Sequence, residues 1–149
     1  MKKGRIGLEL QEAHPRRMVR LSVEPGMRIR SDKALLEIAL RCLLDNAWKF
    51  TARSGESSIE VGSVRGASAP VYFVRDNGVG FDEKYAHKIF QPFQRLRAQE
   101  EFPGTGIGLS LVARIIERHG GRVWAQSTPG HGTTFYFTLR PKRRHGGKP

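Results

Sequence analysis

Polar and apolar residues alternate through Arg20-Leu21-Ser22-Val23 and again through Met27-Arg28-Ile29-Arg30, with Pro25-Gly26 between them. That pattern predicts two short strands joined by a turn. The period then lengthens: Ser31 can cap a helix running from Asp32 to Phe50, with Leu35, Ile38, Leu43 and Ala47 on its buried face. Alternation returns in Ser58–Val64 and Val71–Arg75, strands separated by the small-residue loop Gly66-Ala67-Ser68-Ala69-Pro70, and Asp76 comes directly after the second strand's end. Lys84–Phe90 reads as a short helix and Arg97–Pro103 as a polar connection. Leu109–His119 is amphipathic through Leu109, Val112, Ile115 and Ile116, and Gly120-Gly121 supplies a left-handed cap. Arg122–Ala125 and Thr133–Leu139 complete the strands. Strands and helices in this mixed order, without regular β-α-β alternation, predict an α/β fold: a two-layer sandwich with helices on one face of a mixed sheet.

A chain of 149 residues is one domain, able to bury about two thirds of its unfolded surface. We expect a core over about residues 8–141 and a basic, flexible tail at 142–149. Nothing in the sequence approaches the roughly 20 apolar residues needed to span a bilayer, and no apolar signal core follows Met1-Lys2-Lys3-Gly4. Cys42 is the single cysteine, which excludes a disulfide framework and a cysteine zinc site and fits a cytoplasmic protein. The net charge of +12 raises nucleic acid or an anionic surface as a partner. Much of the excess, however, sits at Lys2, Lys3, Arg5, Arg16, Arg17 and Arg20 and at Arg140, Lys142, Arg143, Arg144 and Lys148. Such runs, without interleaved aromatics, are solvated ends more often than a nucleic-acid site.

The chemistry concentrates in four segments. Gly104-Thr105-Gly106-Ile107-Gly108-Leu109 runs alternate glycines into the start of a helix, where unpaired N–H groups and the positive dipole end favour an anion. Taken alone it is equally a flexible turn. Upstream lie Leu43-Leu44-Asp45-Asn46-Ala47-Trp48-Lys49-Phe50-Thr51, then Asp76-Asn77-Gly78-Val79-Gly80-Phe81-Asp82, then Ile89-Phe90-Gln91-Pro92-Phe93. Asn46 offers a neutral amide oxygen suited to Mg²⁺, or else an asparagine bonding within its own helix. Lys49, one turn on, can meet a phosphate as a point charge. Asp76 can accept a hydrogen bond from an exocyclic amine, although Asp-Asn-Gly is also a common turn. Phe90 and Phe93 are aromatics three apart that serve equally as plain core.

In chain order the four segments resemble the asparagine box, first glycine box, phenylalanine box and second glycine box of the ATP-binding catalytic domain of sensor histidine kinases, which belong to a wider group that includes DNA gyrase, the MutL mismatch-repair ATPases and the heat-shock chaperone ATPase. The resemblance extends over roughly residues 8 to 140, and Phe93-Gln94-Arg95-Leu96 with Glu100–Gly106 is most similar to kinases carrying phytochrome or PAS sensor modules. It implies the Bergerat form of the α/β sandwich. It further implies that ATP with Mg²⁺ is bound, with Asn46 as metal ligand and Asn46, Lys49 and Arg95 as the catalytic, phosphate-facing groups. The implied nucleotide contacts are Asn46, Lys49, Phe50, Asp76, Gly78, Gly80, Phe90, Gly104, Thr105, Gly106, Ile107, Gly108 and Leu109. Asp76 would read adenine, the glycines after it would make room for the purine, and Arg97–Pro103 would be an ATP lid.

Two departures shape the functional expectation. Cys42 occupies the place, one turn before Asn46, where hydrolysing relatives carry a glutamate and many kinases an asparagine; a neutral thiol is a poor base, so slow hydrolysis and phosphotransfer are expected. The phosphoacceptor pattern of His, an acid, and Thr-Pro or Asn-Pro is missing around His14, His87, His119, His131 and His145. The expected partners are therefore ATP, a histidine-bearing dimerisation domain of a longer parent kinase, and a downstream response regulator, without nucleic acid. The competing readings are an anti-sigma-factor type serine kinase of the same fold and a nucleotide-binding interaction module.

Overall fold

The computed structural model describes residues 19–25, 33–51, 56–66, 69–86, 88–91 and 108–139. Its strands are β1 (Val19–Val23), β2 (Ser57–Val64), β3 (Val71–Asp76), β4 (Val123–Ser127) and β5 (Thr133–Phe137), and its helices are α1 (Lys33–Phe50) and α2 (Gly108–Arg118). Asp76 is thus the last residue of β3 rather than the first beyond it. The helix expected at Lys84–Phe90 is instead two 3₁₀ turns, Glu83–Tyr85 and Lys88–Phe90. Asp82 starts the first by accepting the Lys84 N–H at 3.0 Å, a local bond that favours a tight turn over a longer helix. The predicted Met27–Arg30 strand and the Ser31 cap lie outside the described residues.

The sheet order is β1-β2-β3-β5-β4, with β1 parallel to β2 and the other pairs antiparallel. Helix α1 is the crossover that a parallel pair of neighbours requires. Side chains facing the helices form rows across the strands. One row, Val23-Val61-Val74-Phe135-Ala125, is apolar throughout. The next, Leu21-Ile59-Asp76-Thr133-Ser127, turns polar halfway. That change marks where the core ends and a polar site begins.

Helix α2 buries Leu109, Val112, Ile115 and Ile116, as its periodicity predicts. It ends in a Schellman motif: Gly121 N–H bonds to Ile116 O at 3.0 Å, Gly120 N–H to Glu117 O at 2.9 Å, and Gly120 takes φ 71°. Helix α1 is rotated from the expected face. Leu36, Leu40, Leu43, Leu44, Ala47 and Trp48 are buried, while Ile38 stays 43% exposed and Leu35 is only half-buried. The helix has apolar residues on two sides, and the denser stripe at spacings of three and four packs against the sheet. On the opposite face of the sheet Trp124 stacks on Tyr136 with ring centroids 5.5 Å apart, and Phe73 meets Tyr136 edge-on at 6.4 Å. Arg122 lies over Trp124 and Arg75 over Phe73, so this face is shielded by its own ladder of planar groups.

Candidate functional site

At the polar end of the sheet, the carboxylate of Asp76 is 4% exposed. The Gly78 N–H donates to its Oδ1 at 2.8 Å. Burial pushes the carboxyl from its ordinary 3.8 up to about 6, against the opposing pull of backbone N–H bonds from Gly78 and Thr133. A carboxylate held this way is oriented by the backbone and poor in solvent, a strong acceptor for an amine that replaces its water.

The loop after Asp76 is clamped on three sides. Asn77 accepts the Ser58 N–H at 2.9 Å and donates its amide to the Glu56 carbonyl, holding the loop to the start of β2. The Val79 N–H bonds to Phe50 O at 3.1 Å, tying the loop to the end of α1. The Gly130 N–H bonds to Val79 O at 2.7 Å, tying it to the β4–β5 hairpin. The two glycines expected to make room for a purine also allow a close approach of backbone. A Cβ on Gly78 would collide with the Phe50 carbonyl, and one on Gly80, which sits at φ 68°, with the Thr128 carbonyl. Gly132, at φ 87°, likewise packs against the Asp76 carbonyl.

Helix α1 presents a second group of candidates. The Nδ2 of Asn46 is buried and has no hydrogen-bond partner among the described residues. Because the two ends of an amide are assigned from their partners, the observation is of a buried amide with an open end rather than of one atom. Lys49 Nζ pairs with Asp45 Oδ2 at 3.3 Å, both about two fifths exposed. This loose surface pair can exchange for a stronger anion. Phe50 is buried, and its contribution to the loop is its carbonyl. Thr51, fully buried, donates to Ala47 O and accepts on its own carbonyl from Ser57 Oγ at 2.9 Å, which anchors the helix end to β2. Cys42, half-buried, faces the first residue of α2: a Cβ on Gly108 would sit 4.0 Å from its Sγ. Burial, and next the charge of Asp45, raise the thiol pKa, so it stays protonated and cannot serve as a base.

Leu109 is buried in the core, so its side chain supports the start of α2. Phe90 is half-buried and meets Phe135 edge-to-face at 6.0 Å, fastening the end of the phenylalanine segment to the sheet. Arg95, Gly104, Thr105, Gly106 and Ile107 lie outside the described residues, as do Phe93 and the Arg97–Pro103 connection. The structure therefore brings Asp76, Gly78, Gly80 and Phe50 together in one place, sets Asn46 and Lys49 on the preceding turn of α1, and puts Gly108 beside Cys42. His119, one of the histidines weighed as phosphoacceptor, holds its Nδ1 2.8 Å from Ile115 O, a local helix-end bond.

Sequence reasoning predicted the strands of the β4–β5 hairpin but missed their contribution to the site. Thr133 faces Asp76 in register and gives it an N–H; Ser127 and Gly132 support the glycine loop from behind. The signal was Gly130-His131-Gly132-Thr133, a glycine-rich turn feeding a strand, here taken only as the end of the sheet.

Residues 31–143 match the family described as histidine kinase-, DNA gyrase B-, and HSP90-like ATPase. The chain is 41% identical over 124 residues to the methanogenesis regulatory histidine kinase FilI of Methanothrix harundinacea (strain 6Ac), spanning 83% of this chain and 14% of that protein. It is 43% identical over 111 residues to cyanobacterial phytochrome A of Nostoc sp. (strain PCC 7120), spanning 71% of this chain and 14% of that protein. The chain thus corresponds to about one seventh of each of these relatives. In three dimensions it resembles the mycobacterial sensor histidine kinase MprB, with a TM-score of 0.77 at 22% identity over 95% of both chains. The catalytic domain of histidine kinase ThkA gives a TM-score of 0.74 at 23% identity, over 93% of this chain and 90% of that one. At such identity these two establish the Bergerat α/β sandwich. Sequence match and fold together assign the chain to the histidine kinase-, DNA gyrase B- and HSP90-like ATPase family, as an ATP-binding catalytic domain of the sensor histidine kinase type.

Proposed function

We propose that Asp76 reads the adenine amine of ATP, that Asn46 contributes an oxygen to Mg²⁺ among the nucleotide phosphates, and that Lys49 and Arg95 face those phosphates. The γ-phosphate is delivered to a histidine on a dimerisation domain of the parent kinase, and from there a response regulator is served, in the cytoplasm. The observation that carries this reading is the buried carboxylate of Asp76, held by backbone N–H groups in a glycine loop wedged against the end of α1.

Mg²⁺ keeps most of its waters and phosphate contacts and needs few protein oxygens, and the open amide of Asn46 fits that demand. The described residues hold no cluster of three or more His, Cys, Asp or Glu that would bind a metal unaided, so the ion would arrive with its nucleotide. When bound it would neutralise phosphate charge. This chain's own part is to orient: Asp76 fixes the base, the α1 residues fix the phosphates, and the terminal phosphoryl group faces outward for in-line transfer. Cys42, held as a neutral thiol, leaves water without a base at that position, which favours transfer over hydrolysis.

The test is incubation with labelled ATP, Mg²⁺ and the parent kinase's dimerisation domain supplied as a separate protein. Acid-labile phosphate on the acceptor is expected. Acid-stable phosphate would indicate a serine kinase, and nucleotide binding without transfer would indicate an interaction module.

A further inference from the structure

The face of the sheet turned away from the helices carries a cluster that belongs to none of the four motifs. Strand register sets Gly62, Phe73, Tyr136 and Trp124 in one outward row, and Glu60, Arg75, Thr134 and Gln126 in the next. Phe73 is the floor of the cluster: it is 5% exposed and lies over Gly62, where an added Cβ would come within 2.8 Å of its ring. Trp124 and Tyr136 are only half-buried. Arg122 and Arg75 are exposed, the first 5.5 Å from the Trp124 ring centroid and the second 4.7 Å from that of Phe73.

Along the sequence the basic runs at the ends lack interleaved aromatics, but strand register assembles a cluster that has them. No outward residue of β4 or β5 is acidic. The acids of this face sit toward β2 and are engaged: Glu60 with Arg75 at 3.2 Å, and Glu24 with the Ser63 N–H at 2.8 Å. The Arg75–Glu60 pair is a surface pair, which another anion can replace.

Charge and ring chemistry together select the occupant. With a net charge of +12, two copies meeting at this face would set arginine against arginine. An acidic peptide would pair the arginines and leave the rings unused. A single nucleic-acid strand uses both, because bases stack on aromatic rings and guanidinium planes while phosphates accept from guanidinium N–H groups. The flanking hydroxyls favour ribose. Thr134 Oγ1 accepts from Arg75 Nε at 3.3 Å and Thr138 Oγ1 from the Arg122 N–H at 3.1 Å, so each keeps its own proton to donate, and a 2′-hydroxyl offers the matching oxygen.

We propose that the outward face of β3, β5 and β4 binds single-stranded RNA, with Trp124 and Tyr136 as stacking groups and Arg122 and Arg75 as phosphate contacts. Asp76 projects from the opposite face, so RNA and nucleotide are held independently.

The test titrates oligo(U) of about 12 nucleotides into the 149-residue chain and reads tryptophan fluorescence. Trp124 is the responsive reporter, since Trp48 is 2% exposed. Quenching is expected. By anisotropy of labelled oligo(U), Trp124→Leu and Tyr136→Leu should each weaken binding about tenfold, within the range for one lost stacking partner. Arg122→Ala should lower the slope of log K against log salt by about 0.7. All three variants should keep ADP affinity within about twofold, as distant independent sites do. Binding that leaves the fluorescence unchanged and is indifferent to these substitutions is carried by the basic ends, and overturns the proposal. Oligo(dU) of the same length, which lacks only the 2′-hydroxyls, should bind several-fold more weakly; equal affinity overturns the assignment to RNA. Poly-glutamate that quenches Trp124 and displaces oligo(U) at equal charge would make the face a site for acidic proteins instead. If the leucine variants do not fold, Arg122→Glu at its exposed position should weaken oligo(U) more than Arg122→Ala does, and equal binding by the two overturns the proposal.

Discussion

At the scale of single residues, Asp76 is the group whose protonation can be followed from outside. Its carboxyl is raised from 3.8 to about 6 mainly by burial, so the folded chain holds this proton more tightly than the unfolded chain. Stability of the ligand-free fold therefore falls as pH rises from about 4 to about 6, and stays at the lower level above that. At ~1.36 kcal/mol per pH unit the loss is about 3 kcal/mol. Asp76→Asn removes the buried charge, so in denaturant titrations the variant should exceed wild type in stability at pH 7.5, with the gap closing towards pH 4. Nucleotide binding should move the other way, with the variant losing about 1.5 to 3 kcal/mol of ADP affinity at pH 7.5, the worth of a hydrogen bond to a charged acceptor. That difference should shrink as Asp76 protonates below pH 6. A loss of affinity unchanged down to pH 5 would separate the carboxylate from the base. Asn46 gives a second residue-scale test: Asn46→Ala should leave the unfolding transition within about 1 kcal/mol and remove the Mg²⁺ dependence of ATP binding in a metal titration.

At the scale of elements, the strands and α2 were legible because each carries one strong period, and the glycine loops because their residue types permit few other conformations. The rotation of α1 was not legible: Leu35 and Ile38 compete with Leu36 and Leu40, and only the partner surface decides between them. The splitting of Lys84–Phe90 into two turns follows from the cap at Asp82, a local bond that periodicity does not register. Within the site, Asn46 and Asp76 could be singled out from their motifs. Ser127 and Thr133 could not, because their importance arises from strand register across residues far apart in the chain. The packing of the glycines predicts that Gly80→Ala costs more than Gly130→Ala. At Gly130, where an added Cβ would meet nothing within 4 Å, only the left-handed φ of 81° must be forced, for about 1–2 kcal/mol. At Gly80 the new Cβ must also displace the Thr128 carbonyl, so ADP affinity should fall together with thermal stability. Calorimetry and thermal unfolding of the two variants check both halves.

At the scale of the whole molecule, the unattached domain should be a slow enzyme for a reason of concentration. Tethering to an acceptor supplies an effective concentration often in the millimolar range, and a separate acceptor at micromolar concentration does not. Transfer should rise in proportion to acceptor added in trans, while the chain alone takes up no acid-labile label. Label mapping to His131 or His119 would refute this.

The pairing of β3 with β5 places Asp76 against Thr133, and β5 is the last strand in chain order among the described residues. Contacts between segments so distant in sequence form late, since the entropy of closing the intervening loop must be overcome first. Until β5 docks, the Asp76 carboxylate lacks the Thr133 N–H and the glycine loop lacks its rear support. A nascent chain still short of β5 can therefore have most of its sheet and one complete helix layer while remaining blind to ATP. Nucleotide binding would then report one folding event, the docking of β5 on β3, and could serve as a probe for it.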